Sequence, residues 1–251
     1  MSGYGGFAAF YDELTGNVDY QAISGFIYDT LKKYEIDKGI VLDLACGTGS
    51  LCEVLAALGY EMIGVDGSED MLSEAWNKKL ESGADILYLC QNMQELDLYG
   101  TVDAAICTLD SLNHLAGLPE LTQVFRRVGL FLNPGGIFIF DCNTVYKHRE
   151  VLADHTFVYD CDDIYCVWQN TQLAKNKVQI HLDLFHCCGD NSYVRSEEEF
   201  CEIAFSESEI FEALAAAGLT VLERHDGYSD AVPDSRTQRI VYVVQKEGTV
   251  S

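Results

Sequence analysis

Basic residues, prolines and long apolar runs are all scarce in this chain, and each shortage excludes something. Lysine and arginine total 16 against 40 acidic residues, a formal charge of −24 over 251 residues. Such a chain repels phosphate polyanions, and no lysine/arginine cluster locally reverses the sign, so tight binding to DNA or RNA is not expected. No stretch of eighteen apolar residues occurs, which excludes a membrane-spanning helix. The N-terminus has no basic region followed by an apolar one, so no secretory signal is expected. The ten cysteines include no Cys-x-x-Cys pair. Cys46, Cys52, Cys90 and Cys107 fall within apolar strand or helix patterns, as reduced buried thiols of a cytoplasmic protein would. Cys161/Cys166 and Cys187/Cys188 lack the spacing to histidines that a zinc site needs, so no metal is expected.

What is present is a compact nucleoside-binding signature. Gly39 to Leu44 reads as a buried strand, and Asp43-Leu44-Ala45-Cys46-Gly47-Thr48-Gly49 turns it into a helix striped by Leu51, Val54, Leu55 and Leu58. A second apolar run, Met62 to Val65, ends at Asp66. Glycines let backbone approach a ligand closely, and an acid at the tip of the second strand accepts ribose hydroxyls. A dinucleotide fingerprint, Gly-x-Gly-x-x-Gly, would need a third glycine where Cys52 stands, which leaves an NAD-dependent oxidoreductase a distant reading.

The pattern that fits is acid-x-(Gly/Ala)-x-Gly-x-Gly, which resembles the first motif of class I S-adenosylmethionine-dependent methyltransferases, with Ala45 in place of that family's commonest glycine. Four more segments match in order downstream, and one upstream. Ile63 to Leu72 resembles the second motif. Gln91-Asn92-Met93 resembles the adenine-reading segment, with Asn92 where the family usually has Asp. Val102 to His114 resembles the fourth strand and its active-site loop, and Leu132-Asn133-Pro134-Gly135-Gly136 the turn before the fifth strand. Phe7 to Leu14 resembles the segment that closes over the cofactor in small stand-alone members.

The resemblance implies a doubly wound, seven-stranded, mostly parallel sheet with an antiparallel closing hairpin, and S-adenosylmethionine as cofactor. It implies cofactor contacts from Tyr11, Asp43, Ala45, Gly47, Gly49, Asp66, Gly67, Met71, Asn92, Met93 and Leu109. Asp66 would hold the ribose. Asp43 would lie beside the methionyl amine or orient the loop amides around it. Asp110, Asn113 and His114 sit at the carboxyl end of the fourth strand, where ligands bind in such sheets. His114 is the preferred general base, with Asp110 beside it, although His181 and His186 offer the same chemistry. Asn113, Trp168, His181 and Arg195 are candidates for the acceptor pocket. The loop Thr108-Leu109-Asp110-Ser111 lacks the Asn/Asp-Pro-Pro-aromatic motif of exocyclic-nitrogen methylators. The three prolines precede Glu120, Gly135 and Asp234, so a Pro-Cys nucleophile is absent.

Around these motifs, helices are expected over Gln21 to Tyr34, after Ser68 as N-cap with Met71, Leu72, Ala75 and Trp76 inward, and over Leu118 to Leu132. Val145 to Phe205 reads as antiparallel strands instead. Val178, Ile180, Leu182 and Leu184 alternate with polar residues, Phe157 to Tyr159, Ile164 to Thr171 and Phe200 to Ala204 are further strands, and Gly189-Asp190-Asn191 is a turn. Ser206-Glu207-Ser208-Glu209 is a capping box, Gly218 a left-handed cap, and Leu219 to Glu223 with Ile240 to Val244 the closing hairpin. The expected division is a cofactor-binding domain over 1–144 and 206–251, with an antiparallel β insertion over 145–205 capping the acceptor site. The expected protein is a methyltransferase for a small-molecule acceptor, monomeric or homodimeric, without nucleic-acid or membrane partners. The rival is a non-catalytic S-adenosylmethionine-binding or protein-interaction module on the same fold.

Overall fold

The computed structural model describes residues 8–248 except Asn17, Asp162, Asp190 and Asn191, with the backbone alone for Ala9 and Phe10. Phe7 and the Phe10 side chain of the expected closing segment, and the expected turn at 190–191, lie outside the described residues. In chain order the elements are α1 (Ala8–Leu14), α2 (Tyr20–Lys33), β1 (Ile40–Leu44), α3 (Ser50–Ala57), β2 (Glu61–Asp66), α4 (Glu69–Ser82), β3 (Ile86–Cys90), β4 (Val102–Cys107), α5 (Leu118–Phe131) and β5 (Leu132–Asn143). There follow β6 (Thr156–Asp160), β7 (Ile164–Ala174), β8 (Lys177–Cys187), β9 (Tyr193–Ile203), α6 (Glu207–Ala215), β10 (Leu219–Asp226) and β11 (Arg239–Lys246).

Seven strands form one sheet in the order β10-β11-β5-β4-β1-β2-β3. β1 to β5 run parallel, and β11 is antiparallel to both β5 and β10. The winding direction reverses between β1 and β4, and the crevice outside their carboxyl ends is where ligands bind in open α/β sheets. Apolar residues cover both sheet faces. Phe125, Phe138, Phe140 and Tyr242 anchor one core under α5 and α6, and Ile27, Leu31, Leu55 and Ile106 anchor the other under α2 to α4. Among the described residues no helix is long and apolar enough to cross a membrane.

Local chemistry sets the element ends. Ser68 Oγ accepts the Met71 amide and caps α4, and Ser206 with Glu209 forms the reciprocal capping box of α6. Pro119 sits in the first turn of α5, where its missing N–H costs nothing. Three expectations are corrected. Leu58 and Trp76 are exposed, because Cys52 and Ala75 fill the inward positions of α3 and α4. The left-handed Gly218 lies two residues beyond the right-handed C-cap of α6, Ala216, and turns the chain into β10. Val145 to Phe205 is not all strand, since Lys147–Leu152 forms one π-helical turn before β6.

The segment β6 to β9 makes a separate four-stranded antiparallel sheet. Its inner face carries Cys166, Trp168, Ile180, Leu182, Leu184 and Phe200, brought together by the pairings Cys166↔Leu184, Trp168↔Leu182 and Ile180↔Phe200. Strand periodicity sends the intervening residues to the opposite face.

Candidate active site

The loop between β1 and α3 is built from left-handed backbone, with φ of +61° at Ala45, +54° at Gly47 and +74° at Gly49. Its Gly47 amide donates to Asp66 Oδ2 at 2.8 Å, and the Ser68 amide donates to Oδ1 at 2.8 Å. A carboxylate accepts about four hydrogen bonds, so Asp66 retains acceptor capacity for a ligand hydroxyl. Burial raises the Asp66 carboxyl above its ordinary range, while the amides of Ser68, Gly47 and Gly67 pull it back. A Cβ added at Gly47 would meet nothing within 4 Å, so this backbone faces open space. At Gly49 a Cβ would collide with the Tyr88 hydroxyl and lie 3.0 Å from Ala75 Cβ. Gly49 is therefore a packing glycine behind the loop rather than part of the cavity wall.

One continuous cavity of about 730 Å³ opens from this loop. Its first half is walled by Tyr11, Ala45, Gly47, Asp66, Gly67, Met71, Asn92, Met93 and Leu109. Its second half is walled by Asp110, Ser111, His114 and Lys147, and by Phe157, Tyr159, Cys166, Trp168, Leu182 and Phe200 from the inner face of the second sheet.

Residues 41–136 match the family model described as a methyltransferase domain. YqeM of Bacillus subtilis (strain 168), named as a methyltransferase, is 34% identical over 248 residues, 98% of each chain. GWCH70_2453 of Geobacillus sp. (strain WCH70), named likewise, is 31% identical over 245 residues, 97% of this chain and 99% of its own. The crystal structure of an S-adenosylmethionine-dependent methyltransferase from Clostridium acetobutylicum ATCC 824 superimposes with a TM-score of 0.89 at 35% identity, covering 98% of this chain and 99% of that one. The chain belongs to the S-adenosylmethionine-dependent methyltransferase family. Its cofactor is S-adenosylmethionine, and the first half of the cavity suits that group: a carboxylate with acceptor capacity left for a ribose diol, glycine backbone facing open space, and Met71, Met93 and Leu109 for an adenine ring.

In this methyltransferase Asp43 lies beneath the loop, 2% exposed, and does not reach the cavity. It accepts a hydrogen bond from Cys52 Sγ at 3.2 Å. Burial pushes its carboxyl up to about 7, with the Cys52 hydrogen bond opposing and the Asp66 charge adding to the rise.

The acceptor half is braced by a buried polar cluster that sequence reasoning did not find. Asp141, fully buried at the end of β5, accepts the amides of Leu109 (2.8 Å) and Asp110 (2.7 Å), the Tyr228 hydroxyl, and Arg239 Nη1 at 2.6 Å. These bonds hold Leu109 and Asp110 in left-handed backbone, φ +56° at each, a conformation that L-residues adopt only under external constraint. Asp110 Oδ1 accepts Arg239 Nη2 at 2.8 Å, and Oδ2 accepts the Asn143 amide group. Burial alone would raise the Asp110 carboxyl, but the charges of Arg239 and Lys147 outweigh it and hold the group far below the carboxylate range. Such a carboxylate stays anionic and is a weak proton acceptor, which corrects the expectation that Asp110 shares general-base work. A signal for the cluster exists in the sequence: Asp141 follows the apolar run Ile137 to Phe140, and a buried acid there needs a partner.

The other expected acceptor residues divide. Trp168 and His114 line the cavity, with the His114 ring tilted against Phe200 at 4.9 Å between ring centroids. Asn113 does not line it. Its side chain is fully buried, donating to the carbonyls of Asn143 (3.2 Å) and Ile203 (2.9 Å) and accepting the Asn143 amide at 2.9 Å. Both of its N–H donors and its carbonyl oxygen are engaged in joining the loop after β4 to β5 and β9. His181 and Arg195 are on the outer face of the second sheet, because they occupy positions that alternate with the inward Leu182 and Leu184, or pair with outward Phe185. Arg195 bridges Asp183 and Glu197 there, and His181 lies 3.4 Å from Asp183. His181, Asp183 and Glu197 place ligand-type atoms within 4.8 Å of one another, but both carboxylates are already engaged by the Arg195 guanidinium.

Proposed function

We propose that this methyltransferase acts on a small molecule enclosed between the cofactor loop and the inner face of the β6–β9 sheet. The observation that carries this reading is the continuity of the cavity from Asp66 to Trp168 and Phe200. A pocket walled on the acceptor side by six side chains of one sheet suits a ligand that enters whole, within the roughly 300–1,000 Å³ range of small-molecule sites. Residues 145–205 then form the acceptor cap, and 1–144 with 206–251 the cofactor-binding domain.

Within that reading, Asp66 receives the ribose hydroxyls and Gly47 and Ala45 give backbone access to the methionyl end. Gly67, Met71, Asn92, Met93 and Leu109 surround the adenine, and Tyr11 covers the opening. Asp43 acts from beneath, by holding Cys52 and the loop. S-adenosylmethionine supplies a methyl group already activated for displacement, so this chain's residues contribute alignment and exclusion of water more than proton transfer. Asp110 and Asp141 position the loop that carries Leu109 and His114. His114, whose ring faces the acceptor half, is the group available to take a proton from a protic acceptor. All ten cysteines are free thiols, which suits a reducing cytoplasm.

The test is incubation with methyl-labelled S-adenosylmethionine and separated cell fractions. Label transferred into the small-metabolite fraction supports the reading. Label transferred only into protein or nucleic acid, or no transfer to any fraction, contradicts it.

A further inference from the structure

Lys147 stands out among the charged groups of the cavity. Arg239 is spent on Asp110 and Asp141; Glu202, which is not part of the cavity wall, is hydrogen-bonded by His148 and by Asn143, each at 3.2 Å. Lys147 Nζ hydrogen-bonds a neutral atom, Asn143 Oδ1, at 2.9 Å. Among the described residues it makes no ion pair with a carboxylate. It nevertheless lines the cavity at the first turn after β5, in a wall shared with Asp110 and the aromatic inner face of the second sheet. An ammonium carries three donors, so two are left to point at whatever fills that space.

We infer that Lys147 anchors the carboxylate of a planar, apolar acceptor, an aromatic acid in chemical class. This deepens the small-molecule reading above and rests on it. The apolar part of such a molecule has a matching wall: Phe157 meets Trp168 edge-to-face at 5.8 Å, and Phe200 lies against His114. Aromatic faces of this kind favour flat rings over flexible polar ligands. The carboxylate end has an equally specific need. Lys147 is partly withdrawn from water and no carboxylate hydrogen-bonds it, so a ligand carboxylate can take its two open N–H donors in short, charge-assisted hydrogen bonds. Burial pulls the Lys147 ammonium below the ordinary lysine value, with Asp110 opposing; an incoming anion favours the charged form again. An amine-bearing acceptor would meet like charge at this position, and a neutral amide would offer the ammonium only the weaker hydrogen bonds of an uncharged acceptor.

The inference is tested by calorimetry on the full chain saturated with S-adenosylhomocysteine, titrated with 2-naphthoate and with its uncharged isostere 2-naphthamide. The acid is expected to bind at least about tenfold more tightly, the ratio given by one charge-assisted contact. Lys147→Met should remove that preference and Lys147→Arg should keep most of it, while the S-adenosylhomocysteine titration certifies that each variant is folded. Equal affinities in the unmodified protein, a preference that survives in Lys147→Met, or no binding of either probe would overturn the inference while leaving the cofactor site intact. Failure of S-adenosylhomocysteine itself to bind would overturn both this inference and the reading beneath it.

Discussion

Arg239 on β11 reaches Asp110 in the loop after β4, 129 positions earlier in the chain, with Nη2 2.8 Å from Oδ1. Its other terminal nitrogen holds Asp141. One guanidinium thus ties the closing hairpin to the loop at the mouth of the site, and planar two-pronged donation is what arginine offers and lysine does not.

Replacing Arg239 with methionine removes the guanidinium shared by two carboxylates, one of them fully buried. Breaking a buried pair from one side costs about 3 kcal/mol or more. In a domain of this size that lowers the melting temperature by roughly 6–12 °C. Thermal denaturation followed by circular dichroism checks this, and a shift within about 1 °C would show that the cluster does not brace the fold.

Asp43 predicts a pH dependence. Its folded-state carboxyl sits at about 7 against an ordinary 3.8, so between these values the folded protein holds a proton that the unfolded chain has lost. Stability from this group is therefore complete below about pH 4 and falls as pH rises towards 7. Asp43→Asn cannot lose that proton. Relative to the parent, the variant should gain stability progressively from about pH 4 to 7 and then level off. The gain reaches up to about 4 kcal/mol, because each tenfold difference in proton affinity between the folded and unfolded chain is worth about 1.36 kcal/mol. Urea denaturation of both proteins without cofactor across that range measures the difference, and a pH-independent offset would contradict the assignment.

The two loop glycines should separate packing from ligand access. Gly49→Ala drives a Cβ into Tyr88 and Ala75 and adds the left-handed penalty of roughly 1–2 kcal/mol, so it should lower the melting temperature the more. Gly47→Ala meets open space within the protein and should cost only the backbone penalty, but it should weaken S-adenosylhomocysteine binding. Calorimetry and melting curves on both variants decide it; the same pattern of losses in both would remove the distinction.

The legible parts of this molecule are those where a residue's neighbours in sequence dictate its partner. Ser68, Pro119 and the Ser206–Glu209 box set helix starts locally, and the loop from Asp43 to Gly49 with Asp66 is a short-range motif. The alternation in β8 likewise announces a half-buried strand. It also implies that His181 faces away from Leu182, but residue chemistry alone, without that parity, suggests His181 as an acceptor contact, and Arg195 is misplaced for the same reason. Asn113 looks like a ligand-binding amide because its three backbone partners lie 30 and 90 positions away. Asp141, Tyr228 and Arg239 escape a reading of the sequence because their relationships exist only once β5 and β11 are paired.

The central claim is that Asp66 and the glycine loop bind the nucleoside of S-adenosylmethionine, and calorimetric titration with S-adenosylhomocysteine tests it most directly. The parent protein should bind it one-to-one, and Asp66→Ala, which removes both oxygens offered to the ribose, should weaken binding by about 2–3 kcal/mol, roughly 30- to 150-fold. Undetectable binding to the parent at millimolar concentration, or equal affinity in Asp66→Ala, would contradict the account.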